Sequence, residues 1–384
     1  MSGMLEHERV EIVVGERSAL PVIVAVHSTV LGQAVGGCRL WRYRDWRDGL
    51  DDALRLSEAM TLKCALANLA LGGGKSVIAL SPETELTAER RRAAMLDLGD
   101  AVDAFDGSYG VGEDVGTTAE DMLIARERTR YAYCLPESEG GAGEPSEPTA
   151  EGVRMASGVT LERAFGTADV TGRRIGIIGL GQVGSRVARR LAADGAALLV
   201  TDVDLSKRPL ADSLGASWAD PETVLRADVD LLVPAALGGL FTDDSVATLR
   251  CGAVAGPANN QLADDSVADA LARRGVLWAP DFVVNAGGVI YGSAMEIDDC
   301  SREDALARVG AITATLEAVF AAAAERAITP LAAARRVAHE RLRAAENPLL
   351  ECRRVVHVGE RLVRHAHLEE VAQRLPPLAR LPDE

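Results

Sequence analysis

The sequence predicts an α/β protein of two domains with a cleft between them, the second domain built on a doubly wound parallel sheet. Three observations predict it. A chain of 384 residues is too long for one ordinary core. From Arg173 onward, short β-branched runs alternate with helical patterns, as parallel sheets require. Between them, residues 136–148 (Pro-Glu-Ser-Glu-Gly-Gly-Ala-Gly-Glu-Pro-Ser-Glu-Pro) break the composition and read as a hinge. The first domain is expected over 1–140, rejoined by C-terminal helices from 330–384, and the second over 141–329.

The elements follow in order. Runs 8–14 and 20–27 are β-branched and separated by Gly15 and Ser18, which predicts paired strands. A third candidate, 33–41, carries Gly36-Gly37. From 46 to about 71, Leu50, Ala53, Leu54, Leu56, Ala59, Met60 and Leu62 recur at helical spacing. Gly72-Gly73-Gly74 is then expected to turn the chain, with Lys75 just beyond the turn and a strand over 76–80. A helix is predicted over 87–105, then a glycine-punctuated loop over 110–118. A helix is expected to start at Thr149. In the second domain, strands are predicted at 174–178, 197–201, 229–233, 253–255 and 276–278, with a helix over 182–193. Residues 301–345 are alanine-rich and helical, interrupted at Thr329-Pro330. In the tail, Val355, Val358, Leu362, Val363, Leu368 and Val371 predict a docking or oligomer helix before Pro376-Pro377.

Bulk composition narrows the function classes. The chain is 48% apolar and 26% charged, which is globular material. A formal charge of -16 argues against nucleic acid and anionic membranes, which need basic surfaces. The start lacks the basic and apolar regions of a signal peptide, and no uncharged run approaches the ~20 residues that span a bilayer. The six cysteines form no Cys-x-x-Cys pair, so no metal site is indicated and the thiols fit a reduced, cytoplasmic setting.

Lysine usage is the oddest feature. Of 41 basic residues only Lys63, Lys75 and Lys207 are lysine. Arginine cannot be deprotonated in a protein, whereas a lysine desolvated or set beside another cation can. Lys63 and Lys75, the second directly after three glycines that let a ligand approach the backbone, suggest an amine needed for its chemistry. The competing explanation is a glycine loop with stray lysines. Histidine is absent from 28 to 338, so the middle of the chain offers no imidazole base.

Gly179-Leu180-Gly181-Gln182-Val183-Gly184 is G-x-G-x-x-G between a predicted strand and a predicted helix. Gly179 permits the tight turn, Gly181 the approach of a pyrophosphate, and Gly184 close helix packing, with the helix N-terminus facing the phosphates. Asp202 ends the next strand, where a carboxylate accepts from a ribose 2′-hydroxyl and repels a 2′-phosphate. That favours NAD over NADP, with Lys207 and Arg208 nearby as cations that could hold the extra phosphate.

Several separated blocks then carry a resemblance. They are Gly36-Gly37-Cys38-Arg39, Met60 to Lys63, Gly72 to Ile78, and Gly112 to Thr118. In the second half come Pro234 to Gly239, Gly256 to Leu262, Ala279-Pro280-Asp281, and Asn285-Ala286-Gly287-Gly288. Over roughly 20–345 the chain resembles the leucine/valine/phenylalanine branch of the Glu/Leu/Phe/Val amino-acid dehydrogenases. The resemblance implies Lys63 as carboxylate clamp, Lys75 as acid/base working with Asp114, and Asn260 on the substrate. It implies Gly36 and Met60 beside the substrate, and a side-chain pocket of Val35, Gly112, Val289 and Gly292. It implies Thr149, Ala235, Ala236, Asn259 and Asn285 on the cofactor, NAD. Ala235 departs from the family's usual cysteine and Pro257 from a small residue. Family members assemble as dimers or larger rings, so a homo-oligomer is expected.

The implied reaction is oxidative deamination of an apolar amino acid, branched-chain first and aromatic second. It needs a cation for the carboxylate, a lysine base for water and nitrogen, and a carboxylate that favours a cationic intermediate. Two other classes compete. A 2-hydroxy-acid dehydrogenase usually uses a histidine base, and a non-catalytic nucleotide-binding homologue would not require Lys75 with Asp114.

Overall fold

Two six-stranded sheets carry the chain, one in each half. The structure is a computed structural model and describes residues 6–236 and 238–345, plus the backbone of a strand at 355–358. The first sheet holds β1 (Arg9–Val14), β2 (Pro21–Ser28), β3 (Ala34–Arg42), β4 (Gly72–Leu80) and β5 (Tyr109–Glu113). β1 pairs antiparallel with β2, β2 antiparallel with β4, and β3 lies parallel between β4 and β5. Helix α1 (Trp46–Leu66) covers one face, where Leu50, Ala53 and Leu54 pack on Ile23, Val77 and Ala79. Helices α2 (Ala88–Asp103) and α3 (Ala119–Arg126) cover the other, with Met95, Leu98, Val102 and Met122 against Val24, Ile78 and Val111.

α1 begins at a capping box on Asp45 and Asp48, which satisfies the open N–H groups of its first turn. Its end corrects the sequence reading. The helix stops at Leu66 rather than near residue 71, because Asn68 adopts φ +60 and its neighbour Ala67 closes back on the Lys63 carbonyl. Gly72 to Gly74 are therefore not a turn. They open β4, all nine residues of which are buried. Glycine is required at 73 because α1 lies directly on it, and a Cβ there would collide with the Thr61 backbone. Lys75 thus stands inside a central strand.

The expected loop at 110–118 is corrected in the same way. Its first half is β5, held on its outer edge by the 131–133 segment through Val111 N to Tyr131 O at 2.8 Å and Tyr133 N to Val111 O at 2.7 Å. Only 114–118 turns, fixed by Thr117 Oγ1, which accepts from the Asp114 amide and donates to the Cys38 carbonyl.

α4 (Ser146–Phe165) starts three residues before Thr149, which lies in its first turn. The second sheet follows: β6 (Arg174–Ile178), α5 (Gln182–Ala193), β7 (Ala197–Thr201), α6 (Arg208–Ser213), β8 (Ser217–Trp218), α7 (Pro221–Leu225) and β9 (Leu231–Pro234). It continues with α8 (Asp243–Thr248), β10 (Ala253–Val254), α9 (Ser266–Arg273) and β11 (Leu277–Trp278). All its pairings are parallel, in the order β11-β10-β9-β6-β7-β8. The order reverses between β6 and β9, which is where open α/β sheets bind ligands.

Helices α10 (Asp281–Val284), α11 (Gly287–Glu296), α12 (Arg302–Val309), α13 (Ala311–Arg326) and α14 (Pro330–Ala345) close the described chain. The stretch 302–326 has the length and apolarity of a membrane span by composition. In the fold, Ile312, Leu316, Val319 and Phe320 are buried and α13 packs on α4 and α14. Leu62, Ala65 and Leu66 from the end of α1 enter the same core as α4, α11 and α14, so the two halves share apolar contacts. In the tail, Val355–Val358 is β12, a parallel strand on the edge of β1, and not part of a helix. Leu362, Val363, Leu368 and Val371 lie outside the described residues.

Candidate active site

A cavity of about 250 Å³ opens where β3, β4, β5 and α1 face α4, α10 and α11. Val35, Gly36, Met60, Lys63, Lys75, Gly112, Asp114, Thr149, Asn259, Asn260, Val289 and Gly292, all expected from sequence, line it. The parallel register explains the first group. Gly37 stands opposite Gly112 and Cys38 opposite both Ser76 and Glu113. Lys75 on β4 and Asp114 just past β5 therefore meet over β3, and Lys75 Nζ donates to Asp114 Oδ2 at 2.7 Å. α1, seated on Gly73, adds Met60 and Lys63 from above.

The charges are unequal partners. Lys75 is 6% exposed and ion-paired. Burial alone would raise the Asp114 carboxyl, but Lys75 and Arg39 outweigh it and hold the group down at about 2. Arg39 lies at 3.4 Å from Asp114 and 2.7 Å from Asp52, so this lining cation is already committed to two carboxylates. The Lys63 side chain donates to no described residue. Burial lowers its pKa, Asp281 opposes that, and Lys75 adds to it. A half-buried ammonium without a hydrogen-bond acceptor, facing a cavity, is a place for an anion.

The apolar wall is uneven. Of its two glycines only Gly292 leaves room, since a Cβ built there meets no heavy atom within 4 Å. At Gly112 the space is filled: a Cβ would lie 3.0 Å from Cys134 Sγ. Val35 packs with Leu71, Cys64, Met60 and Val289, which ties the two halves together at the pocket.

Of the expected cofactor residues, Thr149 and Asn259 line the cavity, whereas the glycine turn and Asp202 lie on the C-terminal edge of the second sheet, outside that lining. Gly179, at φ +104, turns beneath the Ala235–Ala236 backbone, 2.8 Å from its Cβ position. A Cβ on Gly181 would meet nothing within 4 Å, and α5 starts there without any side-chain cap. This open cradle, where Leu180 precedes the uncapped amides of Gln182, Val183 and Gly184, fits a pyrophosphate. Asp202 accepts from the Leu180 amide at 2.6 Å and the Asp204 amide at 2.8 Å. Asn285 donates to Asn259 Oδ1 at 2.8 Å and to the Pro257 carbonyl at 3.1 Å, while its own buried Oδ1 has no partner. Thr149 donates to the Pro145 carbonyl and sits over Gly288.

Several lining residues were not picked out as site residues, among them four with side chains that can ionise, Arg39, Glu113, Cys134 and Asp281. Arg39, Glu113 and Asp281 stand inside or beside quoted sequence blocks, where ionisable type alone could have flagged them. Asp281 is buried, accepts from the Gln261 and Phe282 amides, and has its carboxyl raised by burial against the pull of Lys63. Burial, then Glu144, pushes Glu113 up to about 7. Cys134 carries no sequence signal, for its position depends on the fold of the 131–134 segment.

Comparison with known proteins decides the family. Residues 7–131 match the model of the Glu/Leu/Phe/Val dehydrogenase dimerisation domain, and residues 201–348 that of the Glutamate/Leucine/Phenylalanine/Valine dehydrogenases. The chain belongs to the Glu/Leu/Phe/Val dehydrogenase family. Within it, the similarity is to the leucine and phenylalanine branch. Leucine dehydrogenase of Bacillus subtilis is 38% identical across 88% of this chain and 92% of its own length. Phenylalanine dehydrogenase of Bacillus thermotolerans is 36% identical across 89% and 90%. The crystal structure of L-tryptophan dehydrogenase from Nostoc punctiforme superposes with a TM-score of 0.75 at 33% identity, covering 89% of this chain and 97% of that one. Residues 150–238 also match the NAD-binding domain of D-isomer-specific 2-hydroxyacid dehydrogenases, a likeness confined to the nucleotide half. This member is an amino-acid dehydrogenase whose cofactor is NAD.

Proposed function

We propose that this dehydrogenase catalyses reversible oxidative deamination of an apolar L-amino acid, with valine, leucine and isoleucine ahead of aromatic substrates. One observation carries the reading: an unpartnered Lys63 ammonium shares a cavity with the Lys75–Asp114 ion pair, beneath a wall of Val35, Gly112, Val289 and Gly292. Lys63 holds the substrate carboxylate. Bound NAD supplies the acceptor for the Cα hydride. Asp114, fixed as an anion, favours the positively charged iminium. Lys75 takes the proton of the attacking water and delivers it to the leaving nitrogen, so that ammonia and a 2-oxo acid result.

The wall has no uncommitted cation for a second carboxylate, which disfavours glutamate. The open volume at Gly292 supports the second reading, an aromatic side chain. The names of the leucine and phenylalanine dehydrogenase relatives support both. We also propose a homo-oligomer, since residues 7–131 match a dimerisation domain.

The test is NADH consumption with a panel of 2-oxo acids, with and without ammonium. Turnover should require ammonium together with a branched-chain or aromatic oxo acid. Strong activity on 2-oxoglutarate with none on the branched-chain oxo acids would overturn the substrate class. Oxidation that proceeds without ammonium would overturn the reaction.

A further inference from the structure

Cys134 is one of the few non-glycine residues with positive φ, at +58. A side chain kept there is held by its surroundings rather than by local preference. The surroundings are specific. Glu296, the last residue of α11, accepts from the Ala142 amide at 2.7 Å, and the backbone of Cys134 and Leu135 is close enough to favour its charged form. The helix that carries Val289 and Gly292 on one wall thus fastens the loop that carries Cys134 on the other. The thiol is directed onto β5 and fills the volume that Gly112 leaves. Burial pushes it up to about 12, so at working pH it is a neutral, weakly polar filler.

The cavity is therefore asymmetric. Its β5 side is closed by Cys134, and its α11 side is open at Gly292. We propose that Cys134 is a specificity-determining residue: its thiol seals the Gly112 wall, limits the width of the accepted side chain, and turns that side chain toward Gly292. The proposal rests on the apolar-substrate reading above and names the residue that sets its size limit.

Four proteins test it: the parent, Cys134→Gly, Gly112→Ala and the double variant, each assayed for kcat/KM with the oxo acids of valine, leucine and phenylalanine. Glycine adopts the positive φ freely, so Cys134→Gly should keep or raise Tm. It should raise the aromatic-to-branched ratio of kcat/KM by about tenfold, the scale on which pocket volume discriminates substrates. Gly112→Ala presses its methyl against Sγ and should lower kcat/KM for all three, again by about tenfold. Adding Cys134→Gly to it should restore branched-chain activity. An unchanged ratio in Cys134→Gly overturns the proposal. So does a Gly112→Ala defect that persists in the double variant, because the two sites would then be independent. Should Cys134→Gly fold poorly, Cys134→Leu decides: aromatic turnover must fall further than branched-chain turnover. A parent without activity on any apolar oxo acid removes the reading itself, and this proposal falls with it.

Discussion

Lys75 Nζ and Asp114 Oδ2 lie 2.7 Å apart over β3, although 38 residues of chain separate them and one stands within β4, the other just past β5. The register of two parallel pairings makes this contact, and the chemistry depends on it. Arginine at position 75 would keep the charge and remove any accessible neutral form. Lys75→Arg should therefore lower kcat by roughly 10²–10⁴ while NAD binding stays close to parental. Lys63→Arg keeps the cation for the carboxylate and should chiefly raise KM. A pH–rate profile of both variants beside the parent is the check. Parental turnover in Lys75→Arg ends the proposed acid/base role.

Asp114 is the anion of the pair, and its folded-state pKa of about 2 lies below the unfolded value of 3.8. A depressed carboxylate adds stability above the unfolded pKa and loses it as pH falls through the folded one. The window is thus about pH 4 down to about 2, and the contribution is about 2 kcal/mol for a side chain 18% exposed. Asp114→Asn should be less stable than the parent at pH 6, with the gap closing toward pH 2. It should also lower kcat by about 10² or more, since the iminium loses its counter-charge. Denaturant melts at several pH values measure the first effect, and a gap independent of pH would contradict it.

The sequence made the strand, turn, helix and next strand of the nucleotide site legible to the residue, because a G-x-G-x-x-G turn needs a strand before it and a helix after it. β8 and the short helices α6 to α9 carried no such signal. The strands at 174–178 and 197–201 and the helix at 182–193 occur with those bounds. In the first half, glycine misled. Gly72 to Gly74 and Gly110 to Gly112 look like loops, yet they are strand residues whose missing side chains admit α1, Tyr109, Tyr133 and Cys134. Local pattern records that glycine is needed and does not say whether for a turn or for a close approach. The tail erred for a related reason. Val355 and Val358 suit a helix spacing, but pairing with β1, a long-range event, puts their segment in a strand.

Glu113 gives a second pH dependence, of opposite sign. Burial and the nearby Glu144, Glu120, Asp114 and Asp121 raise its carboxyl from 4.5 to about 7. The unfolded chain releases this proton earlier than the folded one, so stability falls as pH rises from about 4.5 to about 7. Glu113→Gln removes the titration. The variant should gain stability over the parent at pH 8 and match it more closely at pH 5. Melting curves at both values test this, and a larger gain at pH 5 would reverse the sign of the argument.

Asp202 has two tasks in this geometry. Its carboxylate accepts from the Leu180 and Asp204 amides, holding the glycine turn, and it stands where a ribose 2′-phosphate would meet negative charge. Arg208, a cation that would otherwise invite that phosphate, lies 5.8 Å from the Trp218 ring centroid. NAD should exceed NADP in kcat/KM, and Asp202→Ala should narrow the difference while raising KM for NAD. Comparable kcat/KM for both cofactors in the parent would refute the role in selection.

Gly292 is the open end of the side-chain pocket, and a side chain added there tests the pocket without disturbing the fold. A Cβ at 292 has no heavy atom within 4 Å, so Gly292→Val should fold with a Tm near that of the parent. The new isopropyl group instead takes volume from the roughly 250 Å³ cavity. Each methylene excluded from such a pocket is worth about 1–3 kcal/mol in discrimination, and a phenyl ring exceeds an isopropyl group by several carbons. Activity on the phenylalanine oxo acid should therefore fall at least 10²-fold, with the leucine oxo acid intermediate and the valine oxo acid least affected. Kinetics with the three oxo acids at saturating NADH and ammonium give the ranking. Equal losses for all three would place the substrate side chain elsewhere, and the wall formed by Val289 and Gly292 would no longer define the pocket.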